Sequence, residues 1–224
     1  MNCPARFLKI RHFSNAEMLA GAVADVVVSA AHQALDARDV FHLVLAGGST
    51  PRRCYEILRH KEIDWTRLHV WFGDERCLPV GDRERNDVMA NDALLQYVPI
   101  PASHVHRIAA ELGPLAGAAD YCRQLEKAPV MDLVLLGMGE DGHTASLFPD
   151  NPALNDIHDA VPVFDSPKPP PERVSMGMAY LNAARHRILM VAGEGKREAW
   201  QQVQAGVSLP VALLREPDWY STLA

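Results

Sequence analysis

The sequence predicts an α/β protein, a mainly parallel, Rossmann-like sheet with helices on both faces, in one domain over residues 1–224. Three observations predict it. Short apolar runs alternate almost throughout with stretches of helical periodicity, the pattern of successive βαβ units. Four of those runs, ending at Ala46, Phe72, Leu136 and Ala192, give out directly into glycine. A chain of 224 residues, 48% hydrophobic and 22% charged, is long and apolar enough for one sizeable core.

Residues 7–13 read as a first strand. Ser14 or Asn15 can cap a long helix over 16–37, whose Val23, Val27, Ala30 and Ala34 share a face. Residues 40–46 are a buried strand and 52–60 a helix. A third strand covers 68–72, a helix 86–96 and a short strand 104–108. A helix over 113–127 leads into the central strand, 132–136, whose continuous apolar run suits the middle of a parallel sheet. Residues 151–171 are rich in Pro and Asp and read as a surface crossing. Strands are expected over 173–180 and 187–192, then a helix to about residue 205 and a last strand over 208–214.

The formal charge of −6 gives no general attraction to nucleic acid or anionic membrane, so an anionic substrate needs a local cluster of basic groups. Cys3, Cys54, Cys77 and Cys122 are scattered and form no C-x-x-C pair, which favours a reduced, cytoplasmic setting. The first 13 residues lack an apolar signal core. The apolar helix over 16–35 carries Glu17, Asp25 and His32, as a packed helix does and a membrane span does not. Sequence leaves the oligomeric state open between monomer and weak dimer.

The glycine-terminated strands carry the chemistry. After Ala46 comes Gly47-Gly48-Ser49-Thr50-Pro51. Glycines let backbone N–H groups converge, hydroxyls add donors, and a helix start favours negative charge, so this loop is an anion-site candidate as well as an ordinary capped turn. Phe72 runs into Gly73-Asp74-Glu75-Arg76. Leu136 runs into Gly137, Gly139 and Gly142, with Asp141, His143, Thr144 and Ser146 among and after them. Those glycines spell G-x-G-x-x-G, but Pro149 and Pro152 stop the helix a dinucleotide site requires, so a nicotinamide cofactor is rejected. Ala192 runs into Gly193-Glu194-Gly195-Lys196. His104 and His106 alternate on one strand but have no further ligand at useful spacing, so they are structural or exposed, and no metal is expected.

On these motifs the sequence resembles the glucosamine-6-phosphate deaminase/6-phosphogluconolactonase family, within the ribose-5-phosphate isomerase-like superfamily. The resemblance spans about residues 40–199. It rests on the motif from Leu45 to Pro51, on Phe72 to Arg76 with Pro79, and on the run from Gly137 to Pro149. Lys168-Pro169-Pro170 with Arg173, and Gly193 to Lys196, extend it. One departure is visible: Arg85 stands before Asn86 where the family usually has serine, which bears on the contacts of Asn86. The resemblance implies the lactonase branch, hydrolysing 6-phospho-D-glucono-1,5-lactone to 6-phosphogluconate in the oxidative pentose phosphate pathway, without metal or organic cofactor. The deaminase branch typically continues after its Asp-Gly-His with Asn-Glu-Pro. Here Ser146-Leu147-Phe148-Pro149 lacks that acid. A non-catalytic sugar-phosphate sensor would carry a helix-turn-helix, for which no room is seen before Phe7 or after Ala224.

For such a reaction His143 is the natural general base, because imidazole titrates near neutral pH. Asp141 or Asp74 would fix its tautomer, and Arg76 with loop N–H groups would stabilise an oxyanion. Gly47, Gly48, Ser49 and Thr50, with Lys196 and Arg173, would hold the 6-phosphate. Neither Ser49 nor Ser146 lies in G-x-S-x-G, which disfavours a serine nucleophile.

Overall fold

The computed structural model describes residues 9–224. In chain order the strands and α-helices are β1 (Ile10–His12), α1 (Ala16–Arg38), β2 (Phe41–Leu45), α2 (Ser49–Leu58), β3 (Leu68–Phe72), β4 (Asp74–Arg76), α3 (Asn86–Ala93), β5 (Val105–His106), α4 (Pro114–Leu125), β6 (Leu133–Gly137), β7 (Ala160–Val163), β8 (Arg173–Met176), α5 (Met178–Ala183), β9 (His186–Val191), α6 (Arg197–Gln204) and β10 (Asp218–Ser221). The N-terminal strand is shorter than expected, and its first two expected residues, Phe7 and Leu8, lie outside the described residues.

Seven strands form a wholly parallel sheet in the order β1-β10-β9-β6-β2-β3-β5. The central strands are apolar along their length because helices cover both faces: every residue of β2 is buried, as are Leu133, Val134, Leu135 and Leu136 of β6. Among the described residues α1 is long and apolar enough to cross a membrane, but Leu19, Val23, Val27 and Ala31 are fully buried where it packs on the sheet and α2. Its first turn is capped by the Asn15 side chain, which accepts from the Met18 N–H at 2.9 Å.

Two tyrosines clip helices to the strand ends. The Tyr55 hydroxyl of α2 accepts from the Ala46 N–H at 2.8 Å and donates to its carbonyl at 2.9 Å. Tyr121 of α4 makes the same pair of bonds with Phe72, at 3.1 and 3.0 Å. Both are buried, so the loops after β2 and β3 leave from fixed points.

Four expectations need correction. The Asp-Glu-Arg segment is not a loop: as β4 it pairs antiparallel with β8, in a small sheet ordered β4-β8-β7. Charged side chains hide a strand whose backbone groups are satisfied by a distant partner. The supposed crossing at 151–171 contains β7, an edge strand, which is where a sheet tolerates Pro162. The expected strand over 173–180 is shorter and turns into α5. The last strand is not 208–214, which holds a 3₁₀ turn at Pro210–Leu213; β10 lies later and inserts between β1 and β9, burying Trp219 and Tyr220.

His104 and His106 belong to a stack near the amino end of the sheet. His69 lies between the rings of His42 and His104, at 4.8 and 4.0 Å, and His106 stacks on Trp71 at 3.8 Å. His69 and His106 share a hydrogen bond of 2.9 Å. The rings lie near-parallel and do not converge on a point. Burial, with neighbouring imidazoles, pushes His42 and His106 down to about 4.

Candidate active site

The direction of chain progression across the parallel sheet reverses between β2 and β6. From β2 the chain moves outward to β3 and β5, and from β6 to β9 the other way. Ligands of open α/β sheets bind at such a point, outside the carboxyl ends of the strands. The four glycine-terminated loops follow β9, β6, β2 and β3, four adjacent strands, so topology alone gathers them at one edge.

The loop after β6 carries His143. Its Nδ1 lies 2.5 Å from Asp141 Oδ1, and the same oxygen accepts from the His143 backbone N–H at 3.2 Å. Against the opposing effect of burial, these bonds hold the Asp141 carboxyl down to about 2, so it faces the imidazole as an anion. That arrangement sets the tautomer with the proton on Nδ1 and leaves Nε2 as the acceptor. The loop closes through the Gly139 N–H on the His143 carbonyl, at 2.9 Å, and Gly142 turns it with φ of 78°. A side chain at Gly139 is excluded, since a Cβ there would lie 2.0 Å from His143 Nδ1.

Asp74 is not on the histidine. Its Oδ2 accepts from the Ser146 hydroxyl at 2.6 Å and its Oδ1 from the Asn86 side-chain amide at 3.2 Å; that amide also donates to the Asp74 carbonyl at 2.9 Å. Asn86 in turn lies against the first glycine loop, because a Cβ on Gly47 would fall 2.1 Å from Asn86 Oδ1. Asp74 therefore ties together the loops after β2, β3 and β6. The next residue anchors the same corner: the Glu75 carboxylate accepts from the backbone N–H groups of Arg76, Asn86 and Asp87 at 2.7–2.8 Å, capping α3. Burial pushes Glu75 up to about 7 against those bonds. Arg85 is buried beside it and bonds Asp87 through two nitrogens, Glu111, and the carbonyls of Leu78 and Ile108. The arginine that departs from the family pattern is thus a fully satisfied buried cation at the root of α3, and Asn86 keeps its place.

Cations gather at the histidine loop through Glu140. Lys168 Nζ lies 3.4 Å from Glu140 Oε2, and Gly195 sits so close that a Cβ would be 2.7 Å from Glu140 Oε1. This brings the loops of Lys168 and Lys196 onto one residue of the histidine loop. Burial first, and then the nearby Lys168 charge, lower Lys196 against the opposing pull of Glu140. Gly48 starts α2 with φ of 112°, and among the described residues no side-chain hydrogen bond caps that helix start beside Ser49 and Thr50. Arg76 has a buried Nε with no partner among the described residues, while its Nη1 donates to the Glu84 carbonyl.

Of the two acids sequence reading offered for His143, the structure pairs Asp141 with it, and two expectations change. Asp74 serves the loops and not the imidazole. Arg173, expected at a phosphate, is buried, and its guanidinium donates to the carbonyls of Lys168, Pro169 and Pro170 at 3.1 Å each. It holds the loop that presents Lys168, a residue sequence reading quoted in a motif but gave no role. The available signal was its position in a proline run rigid enough to aim a side chain.

A parallel sheet whose carboxyl edge assembles a His–Asp pair, an open helix start and two lysines defines an α/β enzyme suited to acid–base chemistry on a small anionic substrate. A profile of the family described as glucosamine-6-phosphate isomerases/6-phosphogluconolactonase matches residues 14–222. The chain is 38% identical over 231 residues to human 6-phosphogluconolactonase, covering 96% of this chain and 89% of that one. It is 38% identical over 209 residues to the Streptomyces coelicolor 6-phosphogluconolactonase, covering 85% and 80%. Its fold superposes on the 6-phosphogluconolactonase of Trypanosoma brucei with a TM-score of 0.86 at 26% identity, over 96% of this chain and 95% of that one. The chain belongs to the glucosamine-6-phosphate isomerase/6-phosphogluconolactonase family.

Proposed function

We propose that this enzyme hydrolyses 6-phospho-D-glucono-1,5-lactone to 6-phosphogluconate, the lactonase step of the oxidative pentose phosphate pathway, with His143 as general base. The observation that carries the reading is the imidazole fixed on Asp141 at the sheet edge where the start of α2 and the loops of Lys168 and Lys196 also gather. Relatives named for this activity, aligned over most of the chain, support the substrate class.

The lactone carbonyl is already electrophilic, so the site needs a base, charge stabilisation and orientation. His143 Nε2 takes a proton from water as the water oxygen attacks C1. Asp141, anionic on the opposite nitrogen, stabilises the imidazolium that forms. The unpartnered Arg76 Nε and loop N–H groups are the candidate donors to the tetrahedral oxyanion. As the C1–ring oxygen bond breaks, the imidazolium returns its proton to the departing oxygen. Binding comes from the remote phosphate, held by Gly47, Gly48, Ser49 and Thr50 at the start of α2 and by Lys196 and Lys168.

Assaying the purified protein on the lactone and on glucosamine 6-phosphate separates lactonase from deaminase. His143→Asn keeps size and some hydrogen bonding but removes the base, so turnover should fall about 10²–10⁴-fold with KM little changed, after subtraction of spontaneous opening. Near-normal turnover of that variant would remove His143 as the base.

A further inference from the structure

A hydrogen bond through Nδ1 fixes one atom of the His143 ring but leaves the ring able to swing about that bond, carrying Nε2 away from any substrate. Two further contacts close this freedom. The bare Cα of Gly139 forms a wall on one edge, with a hypothetical Cβ only 2.0 and 2.1 Å from Nδ1 and Cε1. The Phe148 ring meets the imidazole with centroids 4.4 Å apart and planes at 41°. Phe148 is itself fully buried. The Arg173 guanidinium lies over its ring at 5.5 Å, within cation–π range, while bonded to the carbonyls of Lys168, Pro169 and Pro170.

Resting on the general-base reading above, we propose that Phe148 is a positioning residue for His143, its ring fixing the plane of the imidazole and hence the direction in which Nε2 meets the attacking water. Through Arg173 the same ring is packed on the segment that presents Lys168. The three carbonyl bonds of Arg173 hold that segment without the ring, so the part proposed for Phe148 concerns the imidazole alone. This gives a buried phenylalanine five residues beyond the histidine a part in catalysis that burial alone does not explain.

Phe148→Leu tests it, since leucine keeps an apolar filling but lacks a flat face. Turnover should fall about 10- to 100-fold, the cost of a misaimed group, with KM within about twofold of wild type. Inhibition by inorganic phosphate should be unchanged, because the phosphate loop is not disturbed. In a His143→Asn background the leucine should lower the residual rate no further, as Phe148 acts only through the imidazole. Phe148→Met, another apolar filling without a ring, serves if the leucine variant misfolds. Wild-type turnover in a folded variant, or an equal loss with His143 absent, would overturn the proposal. So would a fall in turnover accompanied by a matching loss of phosphate affinity, which would make Phe148 a packing residue of the whole site. Normal turnover of His143→Asn alone would instead sink the general-base reading, so the two failures are distinguishable.

Discussion

Replacing Arg85 by serine, the residue usual at this place in the family, should destabilise the protein markedly. Its side chain is 1% exposed and every guanidinium nitrogen has a partner: Asp87 at 3.0 and 3.2 Å, Glu111 at 2.9 Å, and the carbonyls of Leu78 and Ile108 at 3.0 Å. Removing it leaves the buried Asp87 carboxylate, among the described residues, with only Arg107 as a cation, at 3.7 Å and half exposed, and leaves the buried Ile108 carbonyl and the partly buried Leu78 carbonyl without this donor. Breaking a buried ion pair from one side costs about 3–5 kcal/mol. For a chain of this length each kcal/mol moves the midpoint by roughly 2–4 °C, so Arg85→Ser should lower Tm by about 6–20 °C.

The assay is thermal unfolding by circular dichroism beside urea titration, and the decisive control is the double variant Arg85→Ser, Asp87→Ser. If the loss arises from an abandoned buried charge, removing the acid as well should restore part of it. A single-variant shift under about 2 °C, or a double variant no more stable than the single, would refute the reasoning. Because α3 starts at the next residue and Asn86 contacts both Asp74 and the Gly47 loop, kcat/KM of the folded variant should also fall.

Lys196→Ala should raise KM about 10-fold or more, for a charge-assisted bond of about 1.5–3 kcal/mol, and an unchanged KM in a lactonase assay would take Lys196 out of the site. Lys168→Ala should act in the same direction, and a change in kcat alone would place it elsewhere. Exhaustive chelation should leave turnover intact; loss restored by added zinc would overturn a metal-free mechanism. The imidazole stack makes stability pH-dependent: His42 and His106 take up protons in the folded protein only near pH 4, whereas unfolded histidines do so near 6.5. The unfolded chain therefore binds more protons between those values, and stability should fall as pH drops from about 6.5 towards 4. His106→Gln should flatten that slope in acid-titrated Tm measurements.

What could be read from sequence follows physical lines. Central strands such as β2 and β6 are buried on both faces, so they announce themselves as unbroken apolar runs. The small antiparallel sheet did not, because β4 is three charged residues and β7 contains a proline; each is a strand only through a partner about a hundred residues away or at a sheet edge. The last strand was misplaced for a related reason. Residues 208–214 have the apolar content of a strand, but Pro210 cannot donate to a ladder, and Val211 bonds the Gly142 carbonyl at 3.0 Å to brace the histidine loop.

The two acids of the site show the same boundary at closer range. Asp141 lies two residues from His143, and a tight glycine turn brings such neighbours together almost unaided, so local sequence made it one of two candidates. Asp74 had an equal claim on chemical grounds, as an acid at a strand end beside an arginine. What decides against it are Ser146 and Asn86, 72 and 12 residues away, which engage both of its oxygens. Nothing in the local pattern of either motif announces that engagement; it exists only once β3 and β6 are placed on either side of β2. A carboxylate with both oxygens engaged is poorly placed to orient an imidazole as well, and it is well placed to hold three loops in register. The division between two similar acids is thus a consequence of topology, with the near one bonded to the histidine and the far one bonded to the loops that surround it.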